Sequence, residues 1–345
     1  MSCSRTSYAT EYTCSVIVPA YNASDSLRCC LDSVFLQGHE PLQVIVIDDG
    51  STDDTCFVAG LYGEKVKVIT QANKGQGAAR NAGLKCACGQ FVAFLDADDY
   101  WKPGFLTACV GFLMEHPDVV AVSTGLVTVM EDGSEVIHPA ELCVRGGGMR
   151  EPYIIDRFFQ FWAQYDHVRT GSNVIRRDVI ERAGFQRADL RISQDLEYWG
   201  YLATFGKWGF IPIPLWVGNS RQGTRTQGRI AKYATRRRLC PEVEQWGARI
   251  EPRLRPSDWA GYEIVRGRIA LGYAQNTILG GASDRAYHIV RKYGATMPVC
   301  TMRRILLLGI SLGWPTWKIA CGMICLKERA KALRERFRRR EQPRV

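Results

Sequence analysis

The segment QFVAFLDADD, residues 90–99, decides the fold, because an apolar run typical of a buried strand ends abruptly in three carboxylates. Three earlier segments have the same form: SVIVPAYN from Ser15, LQVIVIDDGS from Leu42 and KVKVITQANKG from Lys65. Hydrophobicity that is continuous rather than alternating indicates strands buried on both faces, as in a parallel sheet covered by helices. Helix-like segments separate these strands, so the sequence predicts an open α/β sheet.

Polar residues follow each of the four predicted strands at its carboxyl end. They are Pro19 to Asn22, Asp48 and Asp49, Gln71 to Lys74, and Asp96 to Asp99. Ligands of open α/β sheets bind at the carboxyl ends of the strands. We therefore expect these four groups to line one crevice, which becomes the first candidate for a functional site.

The acidic residues of this crevice have two interpretations. Asp96, Asp98 and Asp99 repel one another unless a positive group lies among them, and carboxylates suit Mg²⁺ or Mn²⁺, which bind one or two of them together with substrate phosphates. The alternative is an acidic turn after a strand, since turns favour Asp. The segment DDGS at 48–51 is either a turn with a helix cap or a place where Asp49 accepts a hydrogen bond from a nucleotide, with Tyr21 stacking on the base.

The glycine-rich segment GQGAARNAG, residues 75–83, resembles the start of a dinucleotide-binding fingerprint but departs from it at Arg80. A Rossmann site requires its glycine turn on the first strand, which here ends in PAYN. The sequence also has no P-loop motif. We predict instead that the glycines admit a phosphate close to the backbone at a helix start, with Arg80 as a nearby cation.

The composition of the chain excludes several classes of protein. Its 345 residues allow two domains or one large domain with additions, and its hydrophobic fraction of 46% and charged fraction of 23% are typical of a globular protein with a core, which argues against disorder of the whole chain. The first residues lack an apolar region behind a basic one, so we expect no signal peptide and a cytoplasmic protein. Thirteen cysteines without the spacing of zinc knuckles then predict reduced thiols rather than a disulfide framework.

The net charge of +10 belongs to the tail, because residues 301–345 contain twelve Lys or Arg and three acidic residues. That placement argues against a nucleic-acid-binding groove. Pro315 and Lys318 disfavour a spanning helix. Steps of four and three place six apolar residues on one helical face: Ile319, Met323, Leu326, Ala330, Leu333 and Phe337. The pattern favours an interfacial helix on anionic lipid, and the alternative is a helix docked on the body with a solvated basic end.

Taken together and in order, SVIVPAYN, VIVIDDGSTDDT and NKGQGAARNAGLKCACGQFVAFLDADD resemble the family 2 glycosyltransferases, nucleotide-sugar enzymes of the GT-A fold. The similarity is close over roughly the first hundred residues and looser to about residue 220. It implies a mostly parallel nucleotide-binding sheet flanked by helices, followed by a helical C-terminal extension.

The resemblance also implies roles for individual residues. Asp49 would contact the base and Tyr21 would pack on it. Asp96 would face the ribose, and Asp98 would hold Mn²⁺ or Mg²⁺ on the diphosphate, whereas Asp99 would be a flanking residue. The other residues of the expected donor site are Pro19, Asn22 and Arg80.

The acidic base of this family matches Asp195 in the segment ISQDLEYW. It would take a proton from the acceptor hydroxyl as that oxygen attacks the anomeric carbon, with inversion of configuration. The alternative interpretation is an acidic residue that stabilises a helix through its dipole. The chain departs from the family where Gln194 replaces the usual Glu and Tyr201 replaces an arginine. The segment NSRQGTRTQG, residues 219–228, also lacks a histidine of some relatives, which leaves a third metal ligand unidentified.

These inferences predict an inverting, metal-dependent glycosyltransferase with a GT-A domain at 1–225, whose donor half is about 13–125 and acceptor half about 126–225. A helical extension at 226–300 and the basic tail at 301–345 follow it. The expected donor is a nucleotide-diphosphate sugar, a UDP-sugar by default, and the expected acceptor is a glycan or lipid-linked hydroxyl in cell-surface polysaccharide or glycolipid synthesis. We expect a peripheral location on the inner face of the membrane. The alternatives are a non-catalytic nucleotide-binding or scaffolding partner and a sugar nucleotidyltransferase, although the glycine-rich loop of the latter is missing.

Overall fold

The computed structural model describes residues 13–38, 42–130, 133–143, 151–219 and 239–341, with side chains as far as 330 in the last helix. The chain folds as two compact units. The first consists of Met1–Asp189 and Gln194–Gly223, and the second consists of Leu190–Ser193 and Thr224–Val345.

The described part of the first unit is built on one sheet. Its strands are β1 (Cys14–Ala20), β2 (Leu42–Asp48), β3 (Val66–Thr70), β4 (Phe91–Phe94), β5 (Tyr100–Trp101), β6 (Val119–Val129), β7 (Glu135–His138), β8 (Tyr153–Ile155), β9 (Asn173–Arg176) and β10 (Lys207–Asn219). They lie in the order β3-β2-β1-β4-β9-β6-β10-β5, while β7 pairs with β6 and β8 with β10. The four strands predicted from the sequence, β1 to β4, are mutually parallel, and every residue of β1 is buried. The predicted open α/β sheet is confirmed.

Helices cover this sheet. They are α1 (Leu27–Phe35), α2 (Thr55–Gly60), α3 (Gln76–Leu84), α4 (Phe105–Glu115), α5 (Phe158–Tyr165), α6 (Arg177–Ala183) and α7 (Gln194–Leu202). Helix α3 packs closely on β1, because a Cβ added at Gly83 would lie 2.4 Å from Cγ2 of Ile17. This close approach aligns the start of α3 with the carboxyl ends of the parallel strands.

The second half of the sheet is mixed. Strand β9 is antiparallel to both β4 and β6, and β10 runs parallel to β6 with register shifts around Pro214. Strand β9 is followed directly by α6 at Arg177, and β6 forms a hairpin with β7. Helix α5 was not predicted. Its buried residues Phe158, Phe159 and Trp162 lie on one helical face, but the helix has only eight residues, which is shorter than the window over which helical periodicity is recognised.

The described part of the second unit is helical: α8 (Val243–Gly247), α9 (Trp259–Leu279), α10 (Ser283–Tyr293), α11 (Thr301–Ser311) and α12 (Trp314–Glu341). Trp246 stacks on Tyr262 and donates its indole N–H to the carbonyl of Ser193 at 3.2 Å. Tyr273 donates its hydroxyl to the carbonyl of Ile192, also at 3.2 Å. Two buried aromatic residues therefore hold the short segment Leu190–Ser193, in which Ser193 has a φ of +57°.

The last helix, α12, has one buried and one exposed apolar face. Trp317, Cys321 and Ile324 are buried. In contrast, Ile319, Met323 and Leu326 are 63%, 51% and 65% exposed. Along the described residues, no helix is both long and apolar enough to cross a membrane. The apolar stripe predicted from the sequence is therefore the outward face as far as Leu326, and its positions Leu333 and Phe337 have side chains outside the described residues.

Candidate active site

The loops after β1 and β2 are joined by hydrogen bonds in both directions. Asn22, in a left-handed conformation with a φ of +48°, accepts the N–H of Thr52 on Oδ1 at 2.8 Å. Its own N–H donates to the hydroxyl of Ser51 at 2.9 Å. Asn tolerates this backbone region better than most residues. Asn22 therefore fixes the shape of the loop after β2. Its side chain has this structural role although it lies within the candidate donor site.

Asp53 and Thr55 extend the same network. Asp53 accepts the N–H of Ser24 at 3.1 Å and both the N–H and hydroxyl of Thr55, at 3.1 and 2.5 Å. Thr55 in turn accepts the N–H of Ala23 at 2.7 Å. Burial opposes ionisation of Asp53, but its hydrogen bonds from Thr55 and Ser24 outweigh this effect and lower the pKa of the carboxyl. The loop that follows β2 is therefore tied to the start of α1.

Asp49 organises the loop between β3 and α3. Its carboxylate is buried and accepts the amide of Gln71 at 2.7 Å and the N–H of Lys74 at 2.9 Å on one oxygen, and the N–H of Gly75 at 2.7 Å on the other. A carboxylate has about four acceptor positions, so one remains for the base contact expected from the sequence. Asp48 accepts the N–H of Ser51 at 3.0 Å, which closes the turn.

The three carboxylates of LDADD lie on a tight turn after β4. The N–H of Asp99 donates to the carbonyl of Asp96 at 3.0 Å, which places Asp96 first and Asp98 third in a β-turn. All three side chains are half-buried. The acidic-turn interpretation is therefore correct for the backbone, and it does not exclude a ligand, because the turn brings the carboxylates to one sheet edge.

Arg80 supplies the positive group that these carboxylates require. Its side chain is 1% exposed, and Nη2 donates to Oδ1 of Asp96 at 2.7 Å. Burial alone would lower the pKa of Arg80, but the carboxylates of Asp96, Asp195 and Asp99 together raise it. Its Nε and Nη1 are buried without a hydrogen-bond partner among the described residues. The expected cation near the crevice is therefore a fully buried guanidinium with unused donors.

Asp195 is the second residue of α7, where it is half-buried and accepts the hydroxyl of Thr170 at 3.2 Å. Its electrostatic effect on Arg80 indicates that α7 begins close to the crevice. Gln194, the residue in place of the usual Glu, is buried. Thr170 was not predicted from the sequence. A lone threonine in TGSN has no motif, and only the fold shows that it contacts this carboxylate.

The remaining predicted residues fall into two groups. Tyr21 follows β1 with its ring 47% exposed, as a stacking surface requires, while Pro19 lies within β1 beside Ile47 of β2. The segment 220–228, with Arg221 and Arg225, lies outside the described residues. The structure therefore brings Asn22, Asp49, Arg80, Asp96 and Asp195 to the strand ends and the starts of α3 and α7.

A divalent cation fits the turn after β4. No group of three or more His, Cys, Asp or Glu residues in the described part of the chain forms a complete metal cage. A cage is not needed, because Mg²⁺ typically binds one or two carboxylates and completes its shell with water and phosphate oxygens. Asp98, with Asp96 beside it on the turn, is the residue that would hold the ion, and the oxygen ligands suit Mg²⁺ and Mn²⁺ equally.

Comparison with known proteins agrees with this architecture. TarS 1–349 of S. aureus, in complex with UDP-GlcNAc, has a TM-score of 0.56 at 17% identity, with 92% of each chain covered. The mannosyltransferase PcManGT from Pyrobaculum calidifontis, in complex with GDP-Man and Mn²⁺, has a TM-score of 0.52 at 19% identity, with 93% of this chain and 88% of that chain covered. The sheet and its crevice thus define a protein of the GT-A glycosyltransferase fold.

The family is identified from the sequence matches. The family described as Glycosyl transferase family 2 matches residues 15–184. A putative teichuronic acid biosynthesis glycosyltransferase of Bacillus subtilis, TuaG, is 31% identical over 192 residues, which is 54% of this chain and 69% of TuaG. The chain therefore belongs to glycosyl transferase family 2. Two other curated glycosyltransferases are 42% and 47% identical, and there the match spans only 37% and 27% of their length.

Proposed function

We propose that this protein transfers a sugar from a nucleotide-diphosphate sugar to a hydroxyl of a glycan or lipid-linked acceptor, with inversion at the anomeric carbon. One observation carries the proposal. Arg80 pairs with Asp96, and the carboxylates of Asp96, Asp195 and Asp99 all raise its pKa. The acidic turn after β4 and the expected base on α7 therefore face one buried cation.

The nucleotide end of the site is formed by the first three loops. Tyr21 offers an exposed ring for stacking on the base. Asp49, with one acceptor position left, accepts an N–H from the base, while Asp96 faces the ribose. The N–H groups at the start of α3 point toward the anionic diphosphate, because the first turn of a helix leaves its N–H groups without partners inside the helix.

The reacting end is formed by Asp195 and the turn after β4. Asp195 removes the proton from the acceptor hydroxyl as that oxygen attacks the anomeric carbon from the face opposite the diphosphate. The bond to the nucleoside diphosphate breaks as the new glycosidic bond forms, which inverts the configuration. Thr170 orients the carboxylate through its hydrogen bond. Asp98 would hold a divalent cation, which would supply positive charge for the leaving diphosphate.

The donor class is tested by thermal unfolding of the purified protein with a panel of nucleotide sugars, each with and without Mn²⁺ or Mg²⁺. UDP-sugars are the first choice, since TarS binds UDP-GlcNAc. We expect one donor to raise the unfolding temperature only when a divalent cation is present. The Asp98→Ala variant should lose this effect. The proposal fails if no nucleotide sugar changes the unfolding temperature under any condition.

The acceptor belongs to a cell-surface polysaccharide or glycolipid in this proposal. The similarity to TuaG, named for teichuronic acid biosynthesis, favours a polymer of the cell surface. Transfer to glycan and lipid-linked fragments with the stabilising donor, followed by determination of the anomeric configuration, tests the acceptor and the inversion. Retention of configuration would contradict the role of Asp195 as a base.

We also propose that the protein lies on the inner face of the membrane through the exposed face of α12, formed by Ile319, Met323 and Leu326. These side chains are all more than half exposed, and the residues from 327 onward in the same helix are strongly basic. An apolar face beside positive charge is complementary to a surface of anionic lipid. Deletion of the tail is a poor test, because α12 also contributes buried Trp317.

Replacement of the exposed face by serine is a sharper test. We expect Ile319→Ser/Met323→Ser/Leu326→Ser to lose sedimentation with vesicles of phosphatidylcholine and phosphatidylserine. Wild type should sediment with these vesicles and not with phosphatidylcholine alone. Ile264→Ser, at an exposed position of α9, should sediment as wild type does. Equal sedimentation of the triple variant and wild type would contradict membrane binding by this face.

A further inference from the structure

Gln186 lies beside the candidate site and has no role in the proposed reaction. Gln186 is 3% exposed, and neither Nε2 nor Oε1 of its amide has a hydrogen-bond partner among the described residues. Its backbone is held firmly by Asn81 of α3, which accepts the N–H of Gln186 at 3.0 Å and donates to its carbonyl at 2.8 Å. A buried amide without partners costs about 1–3 kcal/mol, so its position calls for a binding partner.

This amide lies against the first turn of α3. A Cβ added at Gly77, the second residue of α3, would lie 4.0 Å from Oε1 of Gln186 and 3.4 Å from Cγ of Gln194. The two glutamines therefore flank one glycine, where the absence of a side chain leaves the backbone open. The N–H groups of this turn have no partners within the helix. The first turn of α3 and the unpaired buried amide of Gln186 therefore lie next to each other.

The location of Gln186 and Gln194 within the site indicates which part of a ligand would contact them. On one side of them, Asp49 accepts the N–H of Gly75, just before α3, at the proposed nucleotide end. Gln194 directly precedes Asp195, the expected base. In the proposed reaction the sugar is the group that lies between the diphosphate and the base. The two glutamines are therefore next to the sugar rather than next to the nucleotide.

We propose that Gln186 and Gln194 form a subsite that recognises hydroxyl groups of the transferred sugar, and that this sugar is an uncharged hexose. The inference rests on the proposed function and deepens it. A primary amide has two N–H donors and a carbonyl acceptor, and a hydroxyl both donates and accepts, so amide and hydroxyl can satisfy each other. A sugar carboxylate only accepts, so it could pair with the N–H donors of these amides but would leave their carbonyl oxygens without a partner.

The test compares the affinity of wild type and of Gln186→Leu for UDP and for UDP-glucose, UDP-N-acetylglucosamine and UDP-glucuronic acid by calorimetry. We expect unchanged affinity for UDP, because the nucleotide does not reach Gln186. Affinity for the preferred uncharged UDP-sugar should fall roughly three- to tenfold, which corresponds to the loss of one or two neutral hydrogen bonds. UDP-glucuronic acid should bind wild type more weakly than the uncharged sugars do.

Matched controls separate recognition from folding. Gln90→Leu, at an exposed glutamine just before β4, should leave all four affinities unchanged. Thermal unfolding confirms that each variant is folded before its affinity is measured.

The outcomes distinguish this inference from the proposed function. If wild type binds the UDP-sugar and Gln186→Leu binds it equally well, the subsite is wrong while the proposed function stands. A parallel loss of UDP and UDP-sugar affinity in a folded Gln186→Leu would assign the residue to the nucleotide and would also overturn the subsite. Failure of wild type to bind any nucleotide or nucleotide sugar would overturn both.

Discussion

The proposed nucleotide end and the proposed sugar end of the candidate site differ in how fully their polar groups are hydrogen-bonded. At the nucleotide end, the carboxylates and amides of Asn22, Asp49 and Asp53 all accept hydrogen bonds from neighbouring loops. At the sugar end, two nitrogens of Arg80 and both amide atoms of Gln186 are buried without partners among the described residues. The polar groups of the first region are mostly paired within the protein, with one acceptor position of Asp49 left, whereas the second region has several unpaired donors and acceptors.

This difference teaches which residues stabilise the fold and which are available for substrate. Satisfied polar groups rigidify loops and contribute to stability, whereas unsatisfied buried groups cost stability and gain when a ligand supplies the missing partner. Variants at the nucleotide end should therefore change the free energy of unfolding. Variants at the sugar end should mainly change binding and turnover, except where a residue such as Arg80 belongs to both regions.

The largest effect should come from Asp195→Asn, at the sugar end. The amide cannot accept a proton from the acceptor hydroxyl, so we expect turnover to fall by about 10²–10⁴, the usual contribution of a general base. Affinity for the nucleotide sugar should stay within about twofold of wild type. Turnover and donor affinity are measured by product formation and calorimetry on the same preparation. A large loss of donor affinity with little loss of turnover would show that Asp195 binds the donor and does not act as the base.

Arg80→Met should produce the next largest effect, because it breaks a buried ion pair and leaves the carboxylate of Asp96 without its cation. Loss of one partner of such a pair destabilises proteins by about 3–5 kcal/mol, measured here as the free energy of unfolding in urea. Arg177→Met is the matched control, since it breaks a more exposed pair with Glu181 at 3.0 Å on α6. The control should lose less than about 1 kcal/mol. Similar losses in both variants would contradict a special role for Arg80.

Asp49→Asn tests the nucleotide end itself. The amide nitrogen would present hydrogens to N–H groups that now donate to a carboxylate, so we expect a loss of about 2 kcal/mol in the free energy of unfolding. Asp54→Asn is the control, because Asp54 is exposed at the start of α2 and makes no side-chain capping hydrogen bond. Unchanged stability of Asp49→Asn, together with lost nucleotide affinity, would show that Asp49 serves the ligand rather than the loop.

The same comparison explains how much was predictable from the sequence. The parallel strands and the positions of Asp49 and Asp96 follow from apolar runs that end in polar residues, because strand period and chain order are local signals. Arg80 was expected from the glycine-rich segment that contains it, and Asp195 was expected only from the family resemblance. The role of Asn22 in shaping the neighbouring loop was not predictable, since Thr52 is distant in sequence and the contact depends on how the two loops fold. Thr170 and Gln186 were missed for the same reason.

The tail and helix α5 illustrate a second limit. Periodicity identified the face of α12 formed by Ile319, Met323 and Leu326, but it could not reveal that Trp317 and Ile324 form a separate buried face of the same helix. Apolar residues on two faces give two overlapping patterns, and only packing assigns each to the core or to the surface. Helix α5 does have one buried face, formed by Phe158, Phe159 and Trp162, but its eight residues are too few for the helical period to be recognised in the sequence.

The smallest and most specific effect should come from Asp53→Asn, which tests the nucleotide end through pH. Hydrogen bonds from Thr55 and Ser24 lower the pKa of Asp53 in the folded protein relative to about 3.9 in the unfolded chain. A lowered folded-state pKa contributes stability that is present above the unfolded value and is lost as pH falls through the folded value. Because Asp53 is exposed and solvent weakens its interactions, the variant should be less stable than wild type by only about 0.5 kcal/mol at pH 7. Urea unfolding at a series of pH values should show this difference shrinking below about pH 4. If the stability difference between the variant and wild type does not change with pH, the negative charge of Asp53 does not contribute to stability. The loops at this end of the site would then not depend on an ionised acceptor.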